Sequence, residues 1–325
     1  MSTLFSHFFT KINQISPLEA NFTEVLDTIA LKPKTLYFYG KMPENVLKNE
    51  KLVRPKTVAI VGSRHNTRYG EEVAYKMAYE LARHGVVVVS GLAYGIDSIA
   101  HRGCLDAGGI TVAVLGTPID DIYPKSHRPL ATEILQQNGA IISEYAPSAA
   151  ENAPLAPGEY LSDGVRRQDP KLSFLYRNRL ISGLADVVVV VEAAERSGSL
   201  NTATHALEQG REVFAVPGNI TNPYSQGCNK LILQGASPYT CPDDILRLLF
   251  PEDFVKKQKR LIKAHLIGDN DVETAILQAL ASGLRASNEI MDFTHLPPEV
   301  FNESITILEV KGRIRSLMDN NWALN

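Results

Sequence analysis

Arg64 follows directly on Gly62-Ser63 at the end of the apolar run TVAIV, and those three residue types together suit the capture of a phosphate. Glycine lets the backbone approach a ligand closely, serine adds a hydroxyl, and the arginine fork matches phosphate oxygens. Comparable loops follow three other apolar runs. They are Ser90-Gly91-Leu92-Ala93-Tyr94-Gly95-Ile96-Asp97, then Glu192-Ala193 with Ser197-Gly198-Ser199 and Thr202, and finally Pro217-Gly218. One loop of this kind signals only a tight turn. Four of them, each behind a strand-like run, point to an anion site built from strand ends and helix N-termini.

A second constellation adds rings to charge. Residues 171–179 read Lys-Leu-Ser-Phe-Leu-Tyr-Arg-Asn-Arg, with Arg166 and Arg167 just before them. A positive groove with aromatic faces is how proteins hold single strands, so Phe174 and Tyr176 are candidate stacking platforms. The plainer alternative makes Phe174 a core residue and the arginines a solvated helix face. Several chemistries are excluded by what is missing. The first loop is not Gly-x-Gly-x-x-Gly and no acidic residue closes the second strand, which argues against NAD. No P-loop, His-Glu-x-x-His or paired-cysteine metal signature occurs, so neither a cofactor nor a metal is expected. Asp97 and His101 stand four apart and are expected to be a structural pair rather than an acid–base couple. Tyr123-Pro124 reads as turn.

The elements that must position these residues are legible as a period. Apolar β-branched runs at 57–61, 86–90, 111–115, 140–145, 186–192 and 211–216 alternate with amphipathic stretches such as 70–84 and 199–209. That pattern predicts an α/β domain with a doubly wound, mostly parallel sheet covered on both faces. A proline-rich stretch over 146–172 reads as a long loop. A basic linker follows at 251–266, with five Lys/Arg between Lys256 and Lys263. Residues 267–325 then show helix, helix, helix and two short strands, the order of a winged helix-turn-helix. The expected organisation is a short N-terminal extension over 1–45, a Rossmann-like domain over 46–250, the linker and the small C-terminal domain.

Charge is unevenly spread. The net charge is −3, but residues 267–325 hold four basic side chains against nine acidic ones, leaving 29 basic against 27 acidic elsewhere. Any nucleic-acid site therefore belongs to the larger part. Three isolated cysteines suit a reducing compartment. No run approaches the roughly 20 apolar residues of a membrane span, and no secretory signal opens the chain, so a cytoplasmic protein is expected.

In order, VAIVGSRHNTRYG (58–70), VVSGLAYGIDSIAHRG (88–103), YP (123–124), ISEY (142–145), RNRLISGLADVVVVVEA (177–193), SGSLNTA (197–203), GREVFAVPG (210–218) and GCNKLILQGA (227–236) resemble the DNA-processing protein DprA (Smf) family. The resemblance implies an extended Rossmann-like fold without catalysis, usually a homodimer. It implies binding and protection of single-stranded DNA and loading of the recombinase RecA. Carried over by position, it puts DNA phosphate at Gly62, Ser63 and Arg64 and on Arg177 and Arg179, with Asn178 between them. Lys171 and Phe174 join the pocket, and Ser90, Gly91, Ser197, Gly198 and Ser199 shape its floor. This sequence departs from the family pattern in the long 146–172 loop, in Pro118 and Cys104, and in the shortness of what precedes the Rossmann part.

Two other functions are weighed. Related Rossmann-like sheets include nucleotide-binding and nucleotide-hydrolysing enzymes, whose helix-borne glutamate does the acid–base work. Here the matching stretch, Ser197 to Thr204, has no carboxylate until Glu208, and Glu192 is expected only to anchor a loop or Arg64. A duplex-reading transcription factor needs a basic recognition helix. The one expected near 298–311 carries Glu299, Glu303 and Glu309 against Lys311 alone.

Overall fold

The computed structural model describes residues 9, 11–46, 54–148, 170–252, 266–317 and 320–324, with the side chains of 170 and 171 outside that set. Most of the 146–172 loop, including Arg166 and Arg167, and most of the basic linker therefore lie outside the described residues. The chain divides into two units, Met1–Leu249 and Phe250–Asn325.

The larger unit is a nine-stranded sheet. Its strands are β1 (Asn13–Ile15), β2 (Leu36–Gly40), β3 (Thr57–Val61), β4 (Val87–Ser90), β5 (Thr111–Leu115), β6 (Ala140–Ser143), β7 (Val187–Val190), β8 (Glu212–Ala215) and β9 (Ser237–Pro238). They lie in the order β1-β2-β6-β5-β4-β3-β7-β8-β9. From β6 to β9 every pairing is parallel, and β2 alone is reversed, pairing antiparallel with both β1 and β6. The six strands expected from the sequence are all present. They are near-continuous apolar runs because both faces are buried. Val112 and Val114 pack into one core cluster, whereas Ala113 and Leu115 pack into the other, the period of two that a pleated strand imposes.

The helices are α1 (Asn21–Glu24), α2 (Arg68–Arg83), α3 (Ile96–Asp106), α4 (Arg128–Gln136), α5 (Pro170–Leu184), α6 (Gly198–Glu208), α7 (Gln226–Leu233) and α8 (Pro242–Leu249). Residues 13–46 are more than an extension of the sheet domain. Phe22 and Leu26 are fully buried in the same cluster as Leu180, Ile181 and Leu184 of α5, and β1 and β2 complete one edge of the sheet. Burying side chains of this size stabilises by roughly 1.5–3 kcal/mol each, enough to fix the segment on the sheet.

The smaller unit holds α9 (Asp271–Ala281), α10 (Ser287–Thr294) and α11 (Pro298–Val310), then β10 (Ile314–Ser316) paired antiparallel with β11 (Trp322–Leu324). The element order is the expected one. Asn270 caps α9 by accepting from Glu273 N at 2.8 Å, and Ile276, Leu280, Ile290, Phe301, Ile305 and Leu308 share its core. No helix among the described residues is long and apolar enough to cross a membrane.

Candidate nucleic-acid interface

The sheet reverses its direction of growth at β3. The chain leaves β3 for β4, β5 and β6 on one side and returns to place β7 on the other. The crevice beyond the carboxyl ends at such a reversal is where doubly wound sheets bind ligands. A cleft of about 690 Å³ opens there, lined by the loops after β3, β4 and β7, by one face of α5 and by the N-terminus of α6. Gly62, Ser63, Arg64, Phe174, Arg177, Asn178, Ser197, Gly198 and Ser199 all reach it, so nine of the expected residues converge.

Each loop is held in place by specific bonds. Ser63 N donates to Glu192 O at 2.7 Å, and the Ser63 hydroxyl donates to His65 O while accepting from His65 N. These bonds consume the serine in shaping the turn and present Arg64 at the surface. Glu192 is buried and does not pair with Arg64. Its carboxylate accepts from Thr67 N at 2.8 Å and from the Thr67 hydroxyl at 2.6 Å, fixing the residue that caps α2. Among the described residues no carboxylate forms an ion pair with Arg64. Across the cleft the Ser197 hydroxyl caps α6 by accepting from Ser199 N. Asn178 ties this helix start to α5, donating to Gly198 O and Asn201 Oδ1 at 3.2 Å each. Asn178 thus positions the α6 N-terminus.

Helical geometry decides which residues of α5 take part. Phe174, Arg177, Asn178 and Ile181 follow the i, i+3, i+4, i+7 spacing of one face, and all four line the cleft. Arg177 is 5% exposed, with Nη1 donating to Gly91 O at 2.9 Å and also to Val114 O. Burial pushes its guanidinium down to about 10, opposed by Asp97, so it stays protonated at neutral pH. Asp97 accepts from Gly91 N at 3.1 Å; burial pushes its carboxyl up, while Arg177 opposes that shift. Gly91 lies between these two groups and lines a shallow recess beside the cleft. Gly95 precedes α3 as its N-cap with φ +73°, and a Cβ there would come within 2.3 Å of Ser63 O, so only glycine lets this turn pass behind the Gly62-Ser63-Arg64 loop.

Two residues expected at the site, Arg179 as a phosphate ligand and Ser90 in the floor, do not line the cleft. Arg179, two residues from Arg177, is rotated about 200° around the helix and faces away from the cleft. It is 2% exposed, donates from Nη2 to both oxygens of Glu144 at 2.7 and 2.8 Å, and from Nε to Leu31 O at 2.8 Å. It locks α5 to the N-terminal segment. Ser90 is fully buried, and its hydroxyl donates to Ile60 O at 2.6 Å, so it holds β4 to β3 beneath the site. The Lys171 side chain is outside the described residues. Phe174 does reach the cleft. Arg64 and Arg177 stand 5.5 and 5.9 Å from its ring centroid, and the Tyr123 ring lies 5.4 Å away. Tyr176 does not line the cleft.

Several lining residues were not anticipated: Tyr123, Arg196, Tyr224 and, in the adjoining recess, Tyr94. Arg196 alone carried a sequence signal, as a cation directly before Ser197. Among the described residues no group of three or more His, Cys, Asp or Glu side chains is arranged to hold a metal.

Asp97 and His101 do not hydrogen-bond to each other. His101 is fully buried, with Nδ1 2.7 Å from the Thr111 hydroxyl, which spends its own proton on Val88 O. Nδ1 is therefore the donor, and Nε2 is left without a partner. Burial pushes the imidazole down to about 3, against an ordinary value of 6.5. The folded pKa lies below the unfolded one, so the unfolded chain takes up the proton first. Stability should fall as pH drops below about 6.5, by about 1.4 kcal/mol per unit once the unfolded histidine is charged. Urea midpoints at pH 7.5 and pH 5 should differ by an equivalent of about 2 kcal/mol from this residue. His101→Asn, which keeps the Nδ1-like donor, should lose that part of the slope; an unchanged slope would assign it elsewhere.

A mostly parallel doubly wound sheet, with arginines and a helix N-terminus converging at its switch point, defines a Rossmann-like protein with a cationic switch-point cleft. The family model for DNA recombination-mediator protein A matches residues 13–250. The chain is 46% identical over 192 residues to Protein Smf of Escherichia coli, covering 59% of this chain and 46% of that one. It is 38% identical over 238 residues to the DNA processing protein DprA of Streptococcus pneumoniae, covering 73% and 74%. The crystal structure of that protein superposes with a TM-score of 0.58 at 35% identity, covering 74% of this chain and 75% of the other. DNA processing protein A from Helicobacter pylori, a structure concerned with single-stranded DNA binding, gives 0.58 at 30% identity, covering 76% and 98%. The chain belongs to the DprA (Smf) family of DNA recombination mediators. It spans about half the length of the Escherichia coli relative and 65% of a Mycobacterium tuberculosis one.

Proposed function

We propose that this protein binds single-stranded DNA in the switch-point cleft, protects it and delivers it to RecA recombinase, acting in the cytoplasm as a non-catalytic homodimer. The observation that carries the reading is Arg64, exposed at the cleft with no carboxylate pairing it among the described residues. Arg177 adds a second cation below it, and the α6 N-terminus faces them. Family membership and the named activity of the Helicobacter pylori relative support single strands as the ligand. Nucleotide hydrolysis lacks support. Glu192 is consumed by Thr67, and Asp97 is buried against Gly91.

Fluorescence anisotropy with a labelled oligothymidine and its duplex tests this. The single strand should bind more tightly and with little dependence on sequence. Arg64→Ala should weaken it by about 1.5–3 kcal/mol, roughly 10- to 100-fold, the worth of a charge-assisted hydrogen bond. The slope of log affinity against log salt should become shallower by about 0.7, one phosphate contact fewer. Binding indifferent to Arg64 would overturn the assignment.

The smaller unit is proposed to be a winged helix that does not read duplex DNA. Its third helix, α11, exposes Glu299, Glu303 and Glu309, and Lys311 is spent on Asp269 and Glu273 at 2.8 Å each. Deleting 267–325 should therefore change oligothymidine affinity far less than Arg64→Ala does in the same titration. The opposite ranking would place DNA on this unit.

A further inference from the structure

The turn between β4 and α3 holds a conformation that its sequence does not favour. Leu92 lies there with φ +57°, in the left-handed region that a leucine enters only at a cost, and its side chain is fully buried. A bulky residue persists in such a conformation only where its surroundings hold it there. Here they do so from two sides. From within, the buried Asp97 carboxylate accepts from Gly91 N at 3.1 Å and from Ala93 N. From outside, Leu92 O lies 2.8 Å from Nδ1 of His127, the residue before α4. A carbonyl can only accept, so Nδ1 carries the proton.

The His127 side chain makes no capping bond to α4, so its donor serves the turn and not the helix. Its ring meets Tyr94 edge-on at 4.8 Å, and the Tyr94 hydroxyl is 2.8 Å from the Ser126 hydroxyl. The segment before α4 thus grips the turn at both Leu92 and Tyr94. The turn in turn carries both cations of the cleft. At its start, Gly91 O accepts from Arg177 Nη1 at 2.9 Å. At its end, Ile96 N donates to Ser63 O at 3.2 Å, in the loop that presents Arg64.

We propose that His127 is a positioning residue for the DNA site: by holding Leu92 O it keeps a strained turn in the shape that seats Arg177 beside the Arg64 loop. The proposal rests on the single-strand reading above. Without this bond Leu92 is free to relax out of the left-handed region, and Gly91 O, the anchor of Arg177, moves with it.

The test combines oligothymidine anisotropy across a salt series with hydrogen–deuterium exchange of the unliganded protein. His127→Ala should weaken binding about fivefold, the worth of one hydrogen bond. The slope of log affinity against log salt should become shallower, towards the loss of about 0.7 that one phosphate contact represents. Amides of residues 91–96 should exchange faster. His127→Phe, which keeps a ring against Tyr94 without the donor, should behave like His127→Ala. His127→Asn, whose amide nitrogen stands where Nδ1 does, should restore both slope and protection, and His127→Gln, one bond longer, should not. His84→Ala is the control, because His84 Nδ1 makes the same kind of bond, 2.8 Å to Glu80 O, at the far end of α2. It should leave the slope unchanged. A wild-type slope in His127→Ala, or a shallower slope without faster exchange at 91–96, would overturn the proposal. So would a slope that stays shallow in His127→Asn, since His127 would then touch the strand itself. Arg64→Ala binding like the wild type would instead overturn the cleft reading.

Discussion

Arg179→Ala is expected to destabilise the larger unit by about 3–5 kcal/mol, the largest single effect foreseen here, because it leaves a buried carboxylate without its partner. Glu144 is almost as buried as the arginine, with side-chain exposures of 6% and 2%. Once the guanidinium is gone, Glu144 must take up a proton or draw in water. The same substitution also strips Leu31 O of its Arg179 Nε donor and Tyr176 O of the bond at 3.2 Å from Nη1. Three parts of the chain meet at this side chain: the residues before β2, the end of β6 and the middle of α5. Urea unfolding should show the midpoint falling steeply. Replacing both partners, Arg179→Met with Glu144→Leu, should recover a large part of the loss, since an apolar pair leaves no charge to desolvate. Oligothymidine affinity of the folded Arg179 variants should stay near wild type, in contrast to Arg64→Ala. An affinity that collapsed while the midpoint held would return Arg179 to the DNA site.

The contrast between Arg177 and Arg179 shows where sequence reasoning stops. Both lie in one basic, aromatic segment, and composition alone makes them equivalent. Once α5 is known to be a helix, its period separates them: Arg177 shares a face with Phe174 and Ile181, and Arg179 does not. The central strands were legible because burial on both faces demands unbroken apolar runs, as in Val187–Val190. β2 was not, since LYFYG has no β-branched residue and its partner, β6, lies about a hundred positions away. The place of the Gly62-Ser63-Arg64 loop at the cleft was legible because glycine, serine and arginine leave a local signature. Tyr94 and Tyr123 were not, because a tyrosine in a turn looks the same whether it faces a ligand or solvent. Only the folded sheet brings the turn after β4 and the segment before α4 to the same recess as α5.

Gly91→Ala should be the second large effect, and it links the floor of the cleft to its function. A Cβ at this position would lie 2.6 and 2.7 Å from the two terminal nitrogens of Arg177 and 2.7 Å from Asp97 Oδ2. Flexible side chains normally give way to one methyl group, but these two cannot do so freely. Arg177 is tied to Gly91 O and Val114 O, and Asp97 accepts from Gly91 N. Whichever group moves loses hydrogen bonds in a buried setting, on top of the roughly 1–3 kcal/mol that overpacking costs. If the guanidinium swings outward, Phe174 loses one of its two cations and the cleft loses its lower charge. Oligothymidine affinity should then fall by about tenfold or more, comparable with one charge-assisted hydrogen bond, together with a lower urea midpoint. Gly108→Ala provides the control for an ordinary glycine: its Cβ would meet nothing within 4 Å, and only its φ of +71° is strained. That variant should lose stability through its backbone alone and keep its affinity for DNA. Equal affinities for the Gly91 and Gly108 variants would mean that Arg177 holds up the floor of the cleft without touching the strand that lies in it.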